Sequence, residues 1–144
     1  MDTRSRREPR YRVLLSIKHP TLSPEMISTT LGIVPSHSWR SEDKRSTPKG
    51  TELGGSYEYT LWTAAKSFSG NRNFFRRIIE FIEIIENNRE FIESVRETGG
   101  RISLIVQIAG DVNIGDEIGC KDLERLVRLG ISFGIEVFPR MDTV

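Results

Sequence analysis

The chain has very few residues of the kinds that bind metals or form disulfides: one cysteine, Cys120, and two histidines, His19 and His37. One cysteine cannot form an intrachain disulfide, and such sparing use of cysteine favours a reducing, cytoplasmic location. A structural zinc site is built from Cys and His pairs at short spacing, and the sequence has no such pair. We therefore expect a cytoplasmic protein with no metal and no cofactor.

Long hydrophobic runs and catalytic motifs are also missing. No stretch approaches the roughly 18 apolar residues of a membrane-spanning helix, and residues 1–12 lack the apolar segment of a secretory signal. The sequence has no GxGxxG or GxxxxGK phosphate loop and no GxSxG nucleophile elbow. We predict a soluble protein without membrane attachment and name no catalytic residue. Enzymatic activity stays open, and a noncatalytic role is favoured.

Positive and negative charges nearly balance, because 21 Lys and Arg against 20 Asp and Glu give a net charge of +1 over 144 residues. Residues 1–12 hold five Arg against Asp2 and Glu8, a net +3, which leaves −2 for residues 13–144. A body without positive excess argues against nucleic-acid binding. We expect residues 1–10 to form a flexible basic arm and residues 11–140 to form a single α+β domain.

Two hydrophobic periodicities define the predicted elements. Val13, Leu15 and Ile17 alternate with mostly polar neighbours over residues 11–18, which is typical of a half-buried strand. Apolar residues recur at helical spacing from Phe74 to Ile85. Further strands are predicted at residues 57–65, 101–109 and 131–138, and further helices between Ser23 and Gly32, around residues 91–95 and before Gly130.

The order of these elements predicts the fold class. Two strand-helix-strand units flank a central helical segment, which we interpret as a helical hairpin or a kinked helix. Right-handed crossovers would place the helices on one face of the sheet. We therefore predict a ferredoxin-like βαβ–βαβ sandwich of the α+β class with an extra helical hairpin between the halves.

Several short segments resemble a known family. They are the opening strand, Ser23-Pro24-Glu25, Leu31-Gly32-Ile33 with Pro35, and Leu129-Gly130-Ile131 before the last strand. On these segments the chain resembles the bacterial domain of unknown function family 4279, over about residues 11–138. The chain departs from the family pattern at Ser41-Glu42-Asp43. The resemblance implies no established activity, and the family's context implies an immunity-type protein encoded beside a toxin.

The candidate site lies in the largest irregular stretch, residues 35–56, which is rich in Ser, Gly and charged residues. Long connections of this kind are often functional, and Trp and Arg are enriched at the energetic centres of interfaces. We predict a noncatalytic module that contacts a protein partner through residues 36–56. Two alternatives stay open: that Trp39 folds back as a lid over the core, and that Trp62 is a core residue. The proposed partner-binding residues are Trp39, Arg40, Lys44, Arg45 and Trp62.

Two other functions stay open. A pocket under the same loop would make the chain a small-molecule-binding protein or a small enzyme. The predicted sheet is also the scaffold of the RNA-recognition motif, which stacks bases on aromatic side chains. The third predicted strand, residues 102–108, has no aromatic residue, so that any nucleic-acid binding would be weak. The oligomeric state is not specified by the sequence.

Overall fold

The structure is a computed structural model that describes residues 10–69, 73–109 and 113–138. These residues form an α+β fold with a five-stranded mixed sheet, a separate two-stranded sheet and four helices. The predicted basic arm lies outside the described residues except for Arg10, which already belongs to the first strand. The elements are β1 (Arg10–His19), α1 (Pro24–Leu31), β2 (His37–Trp39), β3 (Lys44–Ser46), β4 (Glu52–Ser56), β5 (Thr60–Ser69), α2 (Phe74–Asn87), α3 (Arg89–Glu97), β6 (Arg101–Ala109), α4 (Cys120–Leu129) and β7 (Ser132–Phe138).

The main sheet has the strand order β2-β5-β1-β6-β7. The central strand β1 is antiparallel to both β5 and β6, and Ile17 lies between Trp62 and Ile102 in this register. β2 is antiparallel to β5, whereas β7 is parallel to β6. The alternation predicted for β1 is confirmed, since Val13, Leu15 and Ile17 are fully buried.

The hydrophobic core lies between one face of the sheet and the helices. Side chains of β1, β5 and β6 on this face pack in one cluster with Ile27 of α1, Ile78 of α2 and Leu126 of α4. The residues that alternate with them, such as Leu14 and Ile105, stay half-buried on the opposite face. The sheet therefore has one covered face and one more accessible face.

Local sequence signals set the helix ends. Ser23 accepts a hydrogen bond from the Met26 N–H (3.2 Å), Pro24 follows as the first helical residue, and Gly32 ends α1 with φ of 67°. At α2 the cap comes from a distant loop, because the Asp116 carboxylate accepts from the Phe75 N–H at 3.0 Å. The predicted hairpin or kinked helix consists of α2 and α3 in succession, separated only by Asn88.

The first predicted strand-helix-strand unit differs from the structure. Its two strands, β1 and β5, are direct neighbours and antiparallel, whereas β6, α4 and β7 form a parallel unit. The stretch at residues 35–56, which we expect from the sequence to be irregular, instead contains β2 and the β3–β4 hairpin. Because β3 and β4 are exposed along their whole length, they carry no alternating apolar pattern that could reveal them.

Candidate functional site

Trp39 is held at the surface by other aromatic residues. Its ring stacks on Tyr57 with centroids 4.3 Å apart and planes 10° from parallel. The indole Nε1–H donates to the Tyr59 carbonyl oxygen at 2.9 Å, and the His37 ring stands nearly perpendicular at 5.1 Å. Trp39 is half-buried, so that it is neither a free side chain nor a lid sealed into the core.

A tight turn brings Trp39 and Tyr57 together. Arg40 donates its backbone N–H to the Asp43 carboxylate at 3.1 Å. Glu42, the next residue but one, adopts a left-handed conformation with φ of 71°. The Glu42 N–H bonds to the Tyr57 carbonyl, and the Tyr57 N–H bonds to the Asp43 carbonyl. These backbone bonds fix the aromatic pair without burying it.

The β3–β4 hairpin extends this surface and carries its basic residues. Lys44 and Arg45 on β3 are exposed, as is Arg40 in the turn. The Tyr57 hydroxyl donates to the Ser46 carbonyl at 3.3 Å, which ties the hairpin to the aromatic pair. A shallow cleft of about 290 Å³ lies on the hairpin, and its lining residues are Lys44, Arg45, Glu52, Gly54, Gly55 and Ser56.

Tyr59 connects the hairpin side of the site to the main sheet. Its ring lies 6.2 Å from that of Trp39, and the Lys18 ammonium sits 5.0 Å from the Tyr59 centroid, within cation–π range. We call the patch formed by Trp39, Arg40, Lys44, Arg45, Tyr57 and Tyr59 the Trp39 surface. Tyr57 and Tyr59 do not belong to the predicted site. Backbone bonds across the turn place Tyr57 beside Trp39, and the pairing of β2 with β5 together with the Trp39 Nε1 bond places Tyr59 near it.

Trp62 is not part of this surface. Its side chain is fully buried in the core, and its Nε1–H donates to the Ser28 hydroxyl of α1 at 2.9 Å. Its backbone is the register partner of Ser38, next to Trp39, but successive side chains of a strand point to opposite faces. The structure therefore assigns Trp62 to the core. Trp39 is half-buried at the surface, and Arg40, Lys44 and Arg45 are exposed in the turn and on β3 that follow it.

Over residues 10–69, 73–109 and 113–138, no group of three or more His, Cys, Asp or Glu side chains is placed to hold a metal ion. Cys120 is exposed at the first position of α4. None of the helices described is both long enough and apolar enough to cross a membrane.

Three acidic residues of α2 and α3 are engaged in ion pairs. Glu80 pairs with Arg77 at 2.9 Å and Glu93 with Arg89 at 3.1 Å, while Glu86 pairs with Arg125 of α4. Such ion pairs are typical of a solvated helix surface.

Comparison with known proteins gave no match, whether against family models, curated proteins or solved structures.

Proposed function

We propose that this chain is a noncatalytic binding module that contacts a protein partner through the Trp39 surface. The observation that carries the proposal is the immobilisation of Trp39, which stacks on Tyr57 and donates to the Tyr59 carbonyl while staying half-exposed. A side chain that is already ordered loses little conformational entropy on binding, so that more of its contact energy becomes affinity.

The surrounding residues support a protein partner. Tyr57 and Arg40 flank Trp39, and Trp, Tyr and Arg are the residues enriched at interface hot spots. The exposed charges are mixed, since Lys44, Arg45 and Glu52 line the same cleft. Mixed charge around an aromatic centre suits a protein surface of complementary pattern better than a uniformly anionic polymer.

We also propose a ferredoxin-like arrangement for the main sheet. β1 and β2 run in the same direction with the antiparallel β5 between them, since β5 is antiparallel to both. β6 lies on the other side of β1. This order supports a ferredoxin-like split βαβ arrangement to which α4 and β7 are added. The resemblance to the family of unknown function supports an immunity-type role, and Cys120, as the single cysteine, supports a cytoplasmic location.

The test is capture of partners from cells by the wild-type chain, by Trp39→Ala and by Val34→Ala. Val34 is an exposed apolar residue outside the Trp39 surface, so that its variant is the matched control. We expect one or more proteins to be retained by wild type and Val34→Ala and lost by Trp39→Ala, with all three chains folded. Equal retention by all three chains would refute the proposal.

A small ligand is the second candidate, because the cleft on the β3–β4 hairpin has a volume of about 290 Å³ and both charge signs on its wall. A metabolite screen by thermal shift separates the two functions, since a ligand that binds the folded state raises the melting temperature. A shift that requires Arg45 and Glu52 but not Trp39 would favour the ligand. Weak nucleic-acid binding is tested by a gel shift at two salt concentrations.

A further inference from the structure

Strand β7 forms one edge of the main sheet. It pairs with β6 on one side, and no strand of the described residues pairs with its other side. An edge strand carries a row of unpaired N–H and C=O groups that can recruit another strand. β7 is seven residues long, whereas β2 at the opposite edge has three.

The usual devices that protect an edge are missing from β7. Natural edges are kept short, carry lysine or proline, or are bent by a bulge. β7 is SFGIEVF, pairs regularly with β6 along its whole length, and contains one charged residue, Glu136. That carboxylate accepts from Gln107 Nε2 at 2.8 Å, and Gln107 in turn accepts from Arg12 at 2.8 Å. The single charge is thus engaged, through Gln107 of β6 and Arg12 of β1, with side chains of the neighbouring strands.

The helix layer also stops short of this edge. Phe133, Ile135 and Val137 are register partners of the buried residues Leu104, Val106 and Ile108, which places them on the helix-covered face. Phe133 contacts Phe75 of α2, but Ile135 is 53% exposed and Val137 is 63% exposed.

Helix α4 exposes apolar side chains as well. Leu123 and Val127 are four residues apart on α4, with exposures of 43% and 78%. The β7 edge and α4 therefore both present apolar groups to solvent.

We propose that β7 pairs with β7 of a second copy of this chain, antiparallel about a two-fold axis at Ile135, to form a continuous ten-stranded sheet. The strand is self-complementary in this register, which overlaps all seven residues. Ile135 lies opposite Ile135 of the second copy, and Phe133 lies opposite Val137 of the second copy. Glu136 faces Gly134, so that the two carboxylates are not opposed, whereas a two-fold axis at Glu136 would oppose them directly. An isologous contact of this kind closes as a dimer.

The first test is the mass of the full chain in solution across the micromolar range, by light scattering or sedimentation. We expect a dimer for wild type, a monomer for Ile135→Lys, and a dimer for the control Val34→Lys, whose position is 88% exposed elsewhere. A wild-type monomer would overturn the proposal. If deletion of residues 139–144 then produced a dimer, the chain's own C-terminal residues would be the occupant of this edge.

The second test fixes the register by disulfide trapping in a Cys120→Ser background. Ile135→Cys places two thiols opposite each other at the axis, whereas two Ser132→Cys thiols would lie roughly 20 Å apart, beyond disulfide reach. We expect rapid covalent dimers from Ile135→Cys and none from Ser132→Cys. Trapping at Ser132 without trapping at Ile135 would contradict the proposed pairing, even if the chain were dimeric.

Discussion

The ring of Trp39 lies face to face with that of Tyr57, with centroids 4.3 Å apart and planes 10° from parallel. The two residues are 18 positions apart in sequence, and the turn at Arg40–Asp43 and the β3–β4 hairpin occupy the intervening chain. The stacked pair therefore forms only when the turn and the β3–β4 hairpin are folded. It also fixes the orientation of Trp39 in the candidate site.

Trp39→Ala should have a modest effect on stability. The stacked pair contributes about 0.5–1.5 kcal/mol and the Nε1 hydrogen bond a similar amount. We therefore expect the free energy of unfolding to fall by about 1–3 kcal/mol. Trp62→Ala, which empties a fully buried site, should cost about 3–5 kcal/mol. Urea denaturation of both variants measures the difference, and equal losses would show that Trp39 is a core residue.

Ser28 and Trp62 form a hydrogen bond between α1 and the sheet. Ser28→Ala leaves the buried indole N–H without this acceptor, which should lower the free energy of unfolding by about 1–3 kcal/mol. In a Trp62→Phe background the same substitution should cost little, because no N–H is left unsatisfied. Additive losses in this double-mutant cycle would show that the hydrogen bond contributes nothing. Ser38→Ala, at an exposed position of β2, is the control.

His19 should make stability depend on pH. Its Nδ1 accepts from the N–H groups of Thr21 and Leu22, at 3.0 and 2.8 Å. With Nδ1 unprotonated, the Nε2–H donates to the Thr98 hydroxyl at 2.7 Å. Burial lowers the pKa of His19 from its ordinary value of 6.5. The unfolded chain therefore binds a proton at a higher pH than the folded chain. The stability due to neutral His19 is complete above about pH 6.5 and is lost as the pH falls toward the lowered pKa.

The measurement is the free energy of unfolding of wild type and His19→Asn between about pH 7.5 and pH 5. Asparagine keeps an acceptor for the Thr21 and Leu22 N–H groups but does not titrate. We expect the loss of stability on acidification to be steeper for wild type. Parallel pH profiles would mean that His19 does not couple folding to protonation.

Gly100 joins α3 to β6 at a point that has no room for a side chain. A Cβ at this position would lie 2.5 Å from Val95 Cγ1, 2.6 Å from the Val95 carbonyl oxygen and 3.0 Å from the His19 ring. Because the carbonyl belongs to the backbone of α3, it cannot simply rotate away. Gly100→Ala should lower the free energy of unfolding by about 1–3 kcal/mol. Gly115→Ala, where a Cβ meets nothing within 4 Å, should change it little, and thermal melts compare the two.

The predictable part of the fold follows from strong local signals. The alternation in β1 and the Ser23-Pro24 start and Gly32 end of α1 are read directly from the sequence, and the structure confirms them. Strand direction is different, because the strand that follows α1 and runs in the same direction as β1 is β2, which has only three residues, whereas β5 is antiparallel to β1. A strand this short has too little periodicity to be recognised.

The candidate site was predictable in its residue types but not in its geometry. Trp39, Arg40, Lys44 and Arg45 are conspicuous in a polar segment, and the structure leaves Trp39 half-buried and the other three exposed. The roles of Tyr57 and Tyr59 depend on backbone hydrogen bonds across the turn, such as that from the Glu42 N–H to the Tyr57 carbonyl. Trp62 was a candidate by residue type but is a core residue. Only the strand register and the bond to Ser28 show this, and neither can be read from the sequence.

The central claim, that the Trp39 surface contacts a protein partner, is tested most directly by photo-cross-linking in cells. A photo-reactive phenylalanine analogue replaces Arg40, which is exposed beside Trp39, or Val34, which is exposed outside this surface. The account predicts a discrete cross-linked protein from position 40 that is absent from position 34 and is lost when Trp39→Ala is added. The same cross-links from both positions, or none from position 40, would contradict it.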